Sequence, residues 1–329
     1  MGRGVRAAIA FAVLVALALA LSLLLGPAAI GPGEAARALF GVGADDAVSI
    51  IREVRLPRAL GALVVGAGLG ASGAALQGFT RNDLAAPGLL GFSACAAFGA
   101  VVALYAGASW AVMPGALGGA AVGAAATAWM ARRQVGAGGL ILAGIGVGAL
   151  ATALTGLALN VAPNPWALSE LAYWLMGSLE AADLPRVGLA GALTVTGLLV
   201  LVMSGRTLRA LSLGEDVASS LGVSLPRLQA ALIAGTALCI GAGVALAGAV
   251  GFVGLFVPHI VRRLPRAMGG TVDPSALIGR SAAGGALFVL CADTLLRATS
   301  GPGTPLYLGV LSSLIGVPFF LYLALRRTA

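Results

Sequence analysis

The chain has 329 residues, of which 59% are hydrophobic and only 10% charged, with a formal net charge of +8. Soluble domains carry about 25% charged residues, so a water-soluble globule is excluded. The 50 glycines lack the three-residue period of collagen, and they sit inside runs of Leu, Val and Ile that exclude a disordered chain. What remains is a polytopic membrane protein.

Residue types narrow the chemistry further. All 20 basic residues are arginine, so the chain has neither a P-loop lysine nor a lysine for Schiff-base chemistry. The single histidine, His259, cannot build a histidine-rich metal site. Cys95, Cys239 and Cys291 are far apart in apolar stretches and read as small buried hydrophobes.

In chain order, Arg3 and Arg6 precede an apolar run at 7–25. At 1.5 Å per residue this run of about 19 residues crosses roughly 30 Å, and it is read as a retained first span rather than a cleaved signal. Spans are predicted at about 7–27, 58–78, 88–107, 110–131, 138–160, 186–205, 228–248, 249–265, 274–297 and 305–325. About ten transmembrane helices place both termini on one side. With that side cytoplasmic, the inner segments hold 13 arginines and the outer ones six, while Arg280 falls within the ninth span. The positive-inside rule therefore favours this orientation and accounts for most of the net charge without a nucleic-acid partner. Acidic residues lean outward, as at Glu34, Asp45, Asp46, Glu53, Glu170, Glu180 and Asp183.

Small residues crowd the second and seventh spans at 66–73 and 241–248, where they allow close helix packing. Three segments between spans are too patterned for simple connections. The inner loop 77–91 links spans two and three. The inner segment 211–223 is cut into two short pieces by Gly214 and Gly222, with Glu215 and Asp216 opening the second piece. The outer segment 163–178 carries Trp166 and Trp174, side chains suited to a membrane interface. On the ninth span, Asp293 and Arg297 are spaced i, i+4 and predict an intrahelical ion pair.

In this order and on these sides, the segments resemble the permease family of ABC importers for iron–siderophore chelates, haem and vitamin B12. The resemblance runs over nearly the whole chain. It is carried by Arg55-Leu-Pro-Arg58, Leu76-Gln-Gly, Arg81-Asn82, Leu84-Ala85, Pro87-Gly-Leu-Leu-Gly91, Trp174-Leu-Met-Gly-Ser-Leu179, Leu213-Gly-Glu and Leu221-Gly-Val223. The most specific stretch is Gly251-Phe-Val-Gly-Leu-Phe-Val-Pro-His-Ile260, followed by Ala292-Asp293 and Leu314-Ile-Gly-Val-Pro-Phe-Phe320.

The resemblance implies a single all-α permease domain over 1–329 with the type II ABC importer permease fold, in a bacterial inner membrane. It further implies a second copy of the chain, two ATPase subunits below and a periplasmic substrate-binding protein above, all set in the lipid bilayer. The chain itself would be no enzyme and would bind no metal or other cofactor; ATP and Mg would be used by the ATPase. The implied cargo is a bulky metal chelate, a ferric siderophore or haem first, with vitamin B12 as the alternative. An ion-gradient-driven secondary transporter built on Arg280 and Asp293 is the alternative of another class.

Residue by residue, Asn82 and Leu84 match the family's cytoplasmic gate. Arg55, Arg58 and Arg297 match arginines that receive acidic residues of the binding protein, with interfacial snorkelling as the alternative role. Leu213, Gly214, Glu215, Leu221 and Gly222 match the segment that docks on the ATPase. Two departures stand out. Asp83 replaces the family's proline in the gate loop, and Thr304-Pro-Leu-Tyr-Leu-Gly309 replaces Glu-Leu-Pro-Val-Gly before the last span.

Overall fold

The computed structural model describes residues 3–133, 135–162, 164–267, 273–299 and 306–327. Among the described residues the fold is entirely helical. The elements are α1 (Arg3–Leu24), α2 (Pro32–Leu39), α3 (Asp45–Ser49), a π turn (Ile50–Arg55), α4 (Leu56–Thr80), α5 (Phe92–Tyr105), α6 (Val112–Ala131), α7 (Ala137–Asn160) and α8 (Pro165–Met176). They continue with α9 (Leu184–Met203), α10 (Gly205–Leu211), α11 (Glu215–Ser220), α12 (Leu225–Ala247), α13 (Val253–Ala267), α14 (Pro274–Thr299) and α15 (Leu308–Arg327). Local sequence sets many of these starts. Proline occupies the first turn of α8, α9 and α12, where its missing N–H costs nothing. Asn164 and Asp183 cap α8 and α9 by accepting from Ala167 N at 2.9 Å and Arg186 N at 2.7 Å.

Each of the ten predicted spans finds a helix, in α1, α4, α5, α6, α7, α9, α12, α13, α14 and α15. Three differ in length from expectation, and one of them, α5, has only 14 residues. The second span is one continuous helix of 36 residues, Asp45–Thr80, through the π turn. At 1.5 Å per residue it is about 54 Å long and reaches well beyond the hydrocarbon layer. The eighth, α13, has only 15 residues, or about 22 Å, too short to cross alone. Positive φ at Gly248 (68°) and Phe252 (63°) breaks the chain out of helix between α12 and α13. Leu246 lies against Gly61 near the outer end of α4, whereas Gly254 packs against Leu69 and Gly73 farther along it. The stretch 248–252 thus descends as open chain to mid-depth, and α13 completes the crossing.

α4 and α12 form the centre of the bundle. In each, 78% of the most apolar stretch is buried, against 28% in α6 and 33% in α7 and α9. Helices that are apolar all round and mostly buried are core, and those with exposed Val122, Leu142, Leu150 and Leu199 present a face to lipid or to another chain. α4 touches α14 so closely that a Cβ on Gly66 would stand 2.1 Å from Gly285 O, and one on Gly70 2.0 Å from Ser281 O. Backbone contact of this kind is how helices associate where lipid gives no hydrophobic drive.

Gly70→Val is therefore expected to lower the unfolding temperature of the detergent-solubilised protein or to prevent its recovery, since overpacking costs about 1–3 kcal/mol or more. Gly118→Val, where a Cβ meets nothing within 4 Å, is expected to leave that temperature unchanged.

Candidate functional site

Polar contacts gather at the two ends of the bundle. At the end where α4 stops, Arg81 takes a left-handed conformation (φ 53°) and turns the chain into the inner loop. Asn82 closes the loop on itself, because Leu84 N–H donates to Asn82 Oδ1 at 3.0 Å, a local turn that asparagine favours. That hydrogen bond provides a turn where the resembling family has proline. Asp83 pairs with Arg262 of α13, so its charge is compensated inside the subunit. Arg262 also donates to Gln77 Oε1 at 3.2 Å, and Gln77 Nε2 donates to Leu255 O at 3.1 Å. Asn82 is exposed and Leu84 partly so.

Beside this loop lies the segment 211–223. Arg81 Nη2 is 3.6 Å from Glu215 Oε1 and joins the two. The division at Gly214 and Gly222 is the one the sequence suggests: Gly214 (φ 112°) precedes α11 and Gly222 (φ 81°) follows it. Neither glycine has a neighbour within 4 Å of an added Cβ, so backbone conformation rather than space demands them. Glu215 and Asp216 form the first turn of α11, and Ala218 is its one buried residue. Leu213 and Leu221 are 63% and 64% exposed, two apolar knobs at the tip of the subunit.

At the opposite end, Arg55 is 3% exposed. Its Nη1 donates to Leu23 O at 2.7 Å and Leu24 O at 2.9 Å, and its Nη2 to Ala28 O, so it caps the C-terminus of α1. Asp293 is fully buried and accepts from Arg58 Nε at 2.8 Å and from Arg297 Nε at 3.0 Å. The predicted i, i+4 pair on α14 is thus present, with Arg58 as a third member. Arg297 also reaches the carbonyl and hydroxyl of Ser22. Arg58 extends toward Glu180, 3.8 Å away and 70% exposed. The three outer arginines are expected from sequence at an open docking surface, but Arg55 and Arg297 are buried and hold helix ends together. A guanidinium inside a bundle has to satisfy its donors there. Arg37, Arg52 and Arg186 are the outer arginines with more exposed side chains.

A third feature has no sequence signature. Met176–Gly177, the open stretch 248–251 and the start of α15 converge, with Ser178 N donating to Ala247 O at 2.9 Å and Leu308 N to Gly177 O at 2.9 Å. Below this junction lies an open groove of about 680 Å³, lined by Leu175, Met176, Ala249, Gly251, Gly309, Val310, Ser313, Leu314, Val317 and Pro318. Its one polar side chain, Ser313, is turned back onto Gly309 O at 2.8 Å. Six of its residues belong to stretches quoted for the resemblance, yet nothing in their order announces a cavity. Of the altered stretch 304–309, Thr304 and Pro305 lie outside the described residues. Tyr307 stacks on Tyr173, with ring centroids 5.8 Å apart and planes 11° from parallel.

The FecCD transport family matches residues 14–326. The chain belongs to this family. Among curated relatives, the vitamin B12 import system permease protein BtuC of Salmonella paratyphi A is 35% identical, over 98% of this chain and 96% of that one. BtuC of Salmonella typhimurium is 34% identical over the same shares. A solved transporter described as of the metal-chelate ABC type, in an inward-facing conformation, superposes with a TM-score of 0.85 at 27% identity, covering 97% of this chain and 98% of that one. The protein is thus an ABC importer permease with the type II fold expected from its motifs. The ion-gradient alternative loses its footing, since Asp293 is held between Arg58 and Arg297.

In this permease, Asp293→Asn leaves two buried guanidinium groups without their carboxylate and is expected to cost about 3–5 kcal/mol, read as a large drop in unfolding temperature. Asp183→Asn at the exposed Asp183–Arg186 pair keeps the helix cap and is expected to change stability by less than about 1 kcal/mol.

Proposed function

We propose that the permease is the membrane conduit of an ATP-driven importer that moves a bulky metal chelate from periplasm to cytoplasm. It works as two copies of this chain with two ATPase subunits on the cytoplasmic side and a substrate-binding protein on the periplasmic side. One observation carries the reading: the loop with Asn82 and Leu84 and the segment with Leu213, Gly214, Glu215, Leu221 and Gly222 meet at the same end of the bundle, bridged by Arg81 and Glu215. A gate beside a docking segment is what coupling to an ATPase requires.

The exposed Leu213 and Leu221 suit apolar docking, and Glu215 and Asp216 suit a basic partner face. At the other end, Arg58 and the exposed Glu180 offer a charged surface for the binding protein, where such groups set register and association rate more than affinity. Arg55 and Arg297 support that surface from within. The groove between α8 and α15 supplies a wall for the path. Its lining is apolar and its single hydroxyl is internally bonded, so a passing chelate meets little that would retain it.

Cargo follows from the company the chain keeps. The BtuC relatives are named for vitamin B12 import and the solved neighbour for the metal-chelate type. A corrinoid therefore stands beside ferric siderophores and haem as cargo, all of them bulky, rigid metal chelates.

Native mass spectrometry of the gently extracted complex is expected to show two permease copies with two ATPase subunits; a permease without any ATPase would overturn the reading. Cysteines at 82 or 84, cross-linked between copies, are expected to block uptake in proteoliposomes. Gly214→Val is expected to leave ATP hydrolysis running while uptake of cyanocobalamin or a ferric chelate falls at least about tenfold, because a β-branched residue cannot hold φ near 112°. Arg58→Gln, which keeps an N–H for Asp293, is expected to weaken capture of the binding protein, read as a lower association rate that depends less on salt.

A further inference from the structure

The inner loop is held by charge from two sides, and the two attachments differ. Arg81 and Glu215 are 3.6 Å apart with side chains 49% and 46% exposed, a screened and loosely held contact. Asp83 pairs with Arg262, whose side chain is only 17% exposed and which is fixed further by Gln77 Oε1 at 3.2 Å. Gln77 is in turn anchored to Leu255 O at 3.1 Å. An ion pair in drier surroundings and braced by hydrogen bonds is the stronger of the two.

The elements behind these contacts differ as well. α11, which carries Glu215, buries only Ala218, so its own subunit holds it lightly. α13, which carries Arg262, buries Val257 and Val261 and packs on α4 and α14. The loop bearing Asn82 and Leu84 therefore spans a lightly held element and a firmly held one. Its turn depends on neither ion pair, since Asn82 N donates to Gln77 O at 3.2 Å and Leu84 N donates to Asn82 Oδ1. Removing a charge alters what the turn is tied to and leaves the turn itself.

We propose that Asp83 and Arg262 are positioning residues of the inner gate. Their ion pair clamps the loop to α13, and the Arg81–Glu215 contact becomes the lever through which movement of the 211–223 segment reaches Asn82 and Leu84. This inference rests on the gating and coupling reading given above.

The test uses the whole complex, with its ATPase subunits, in liposomes. Leu84→Cys serves as reporter in every variant, and its labelling by a membrane-impermeant maleimide from the cytoplasmic face is timed with and without Mg-ATP. ATP hydrolysis, followed in parallel, shows that the ATPase subunits stay bound. Asp83→Asn and Arg262→Gln are each expected to reduce the nucleotide dependence of labelling by roughly fivefold, the scale of a partly exposed ion pair. The exchange Asp83→Arg with Arg262→Asp is expected to restore it.

Neutral variants that keep the full nucleotide dependence would overturn the clamp. So would a charge exchange that restores nothing although it assembles normally by size-exclusion chromatography, because the side chains would then act otherwise than as an ion pair. Failure of the underlying reading looks different: in the parent reporter itself, or after Gly214→Val, labelling would be indifferent to whether the coupling segment works. That result would remove the gate and the clamp together.

Discussion

Backbone-to-backbone approach between α4 and α14 is the constraint on which the remaining structure depends. A bilayer offers no water to unpaired amides and no hydrophobic gain for bringing apolar helices together. Dispersion has to supply the attraction, and it falls steeply with separation. Gly66 and Gly70 on one helix, facing Gly285 and Ser281 on the other, let carbonyls and α-carbons meet directly. With α4 fixed in this way, both polar ends have their places. Arg55 and Arg58 are carried at its outer end, and Gln77 and Arg81 at its inner one. The proposed docking surface and the proposed gate are thus opposite ends of one rod.

Charge is distributed so that no buried guanidinium lacks acceptors among the described contacts. A net charge of +8 on a chain with 12 acids leaves too few carboxylates to pair every arginine. The outer cluster meets the shortage by sharing. Asp293 serves two arginines, one on each carboxylate oxygen, and Arg55 uses the free carbonyls at the end of α1, where the helix dipole is negative. Because the donors are consumed internally, the electrostatic face left for a partner is narrower than the arginine count suggests.

Much of this was legible in the sequence, and the exceptions share a cause. Ten spans were readable because runs of apolar residues near the bilayer thickness have few alternatives, and the two-part segment around Gly214 and Gly222 was readable because each glycine sits at a positive φ. The i, i+4 spacing of Asp293 and Arg297 announced their ion pair. By contrast, the exposure of Arg55 and Arg297 depends on Ser22, Leu23 and Leu24, which come from a helix far away in sequence. The compensation of Asp83 by Arg262 crosses 179 positions and leaves no local trace. The half-length of α13 was hidden because glycine and alanine continue smoothly past Ala247 in composition while the backbone leaves the helix at Gly248.

That broken crossing has a physical consequence for transport. Open backbone at membrane depth persists only where protein covers it or where it borders a cavity. Here both hold: the 248–252 stretch is hydrogen-bonded or packed against Gly177 and Gly309 on one side and borders the groove on the other. Exchanging a full helix for an extended segment thins the wall at that point and opens space between α8 and α15 without placing a charge there. For the proposed bulky cargo such volume matters more than affinity, since every contact that holds the cargo at rest must be broken before release. An apolar wall of glycine, alanine and leucine meets that requirement. In the proposed assembly, recognition then falls to the binding protein, and direction to the ATPase acting through the loop at the opposite end of α4.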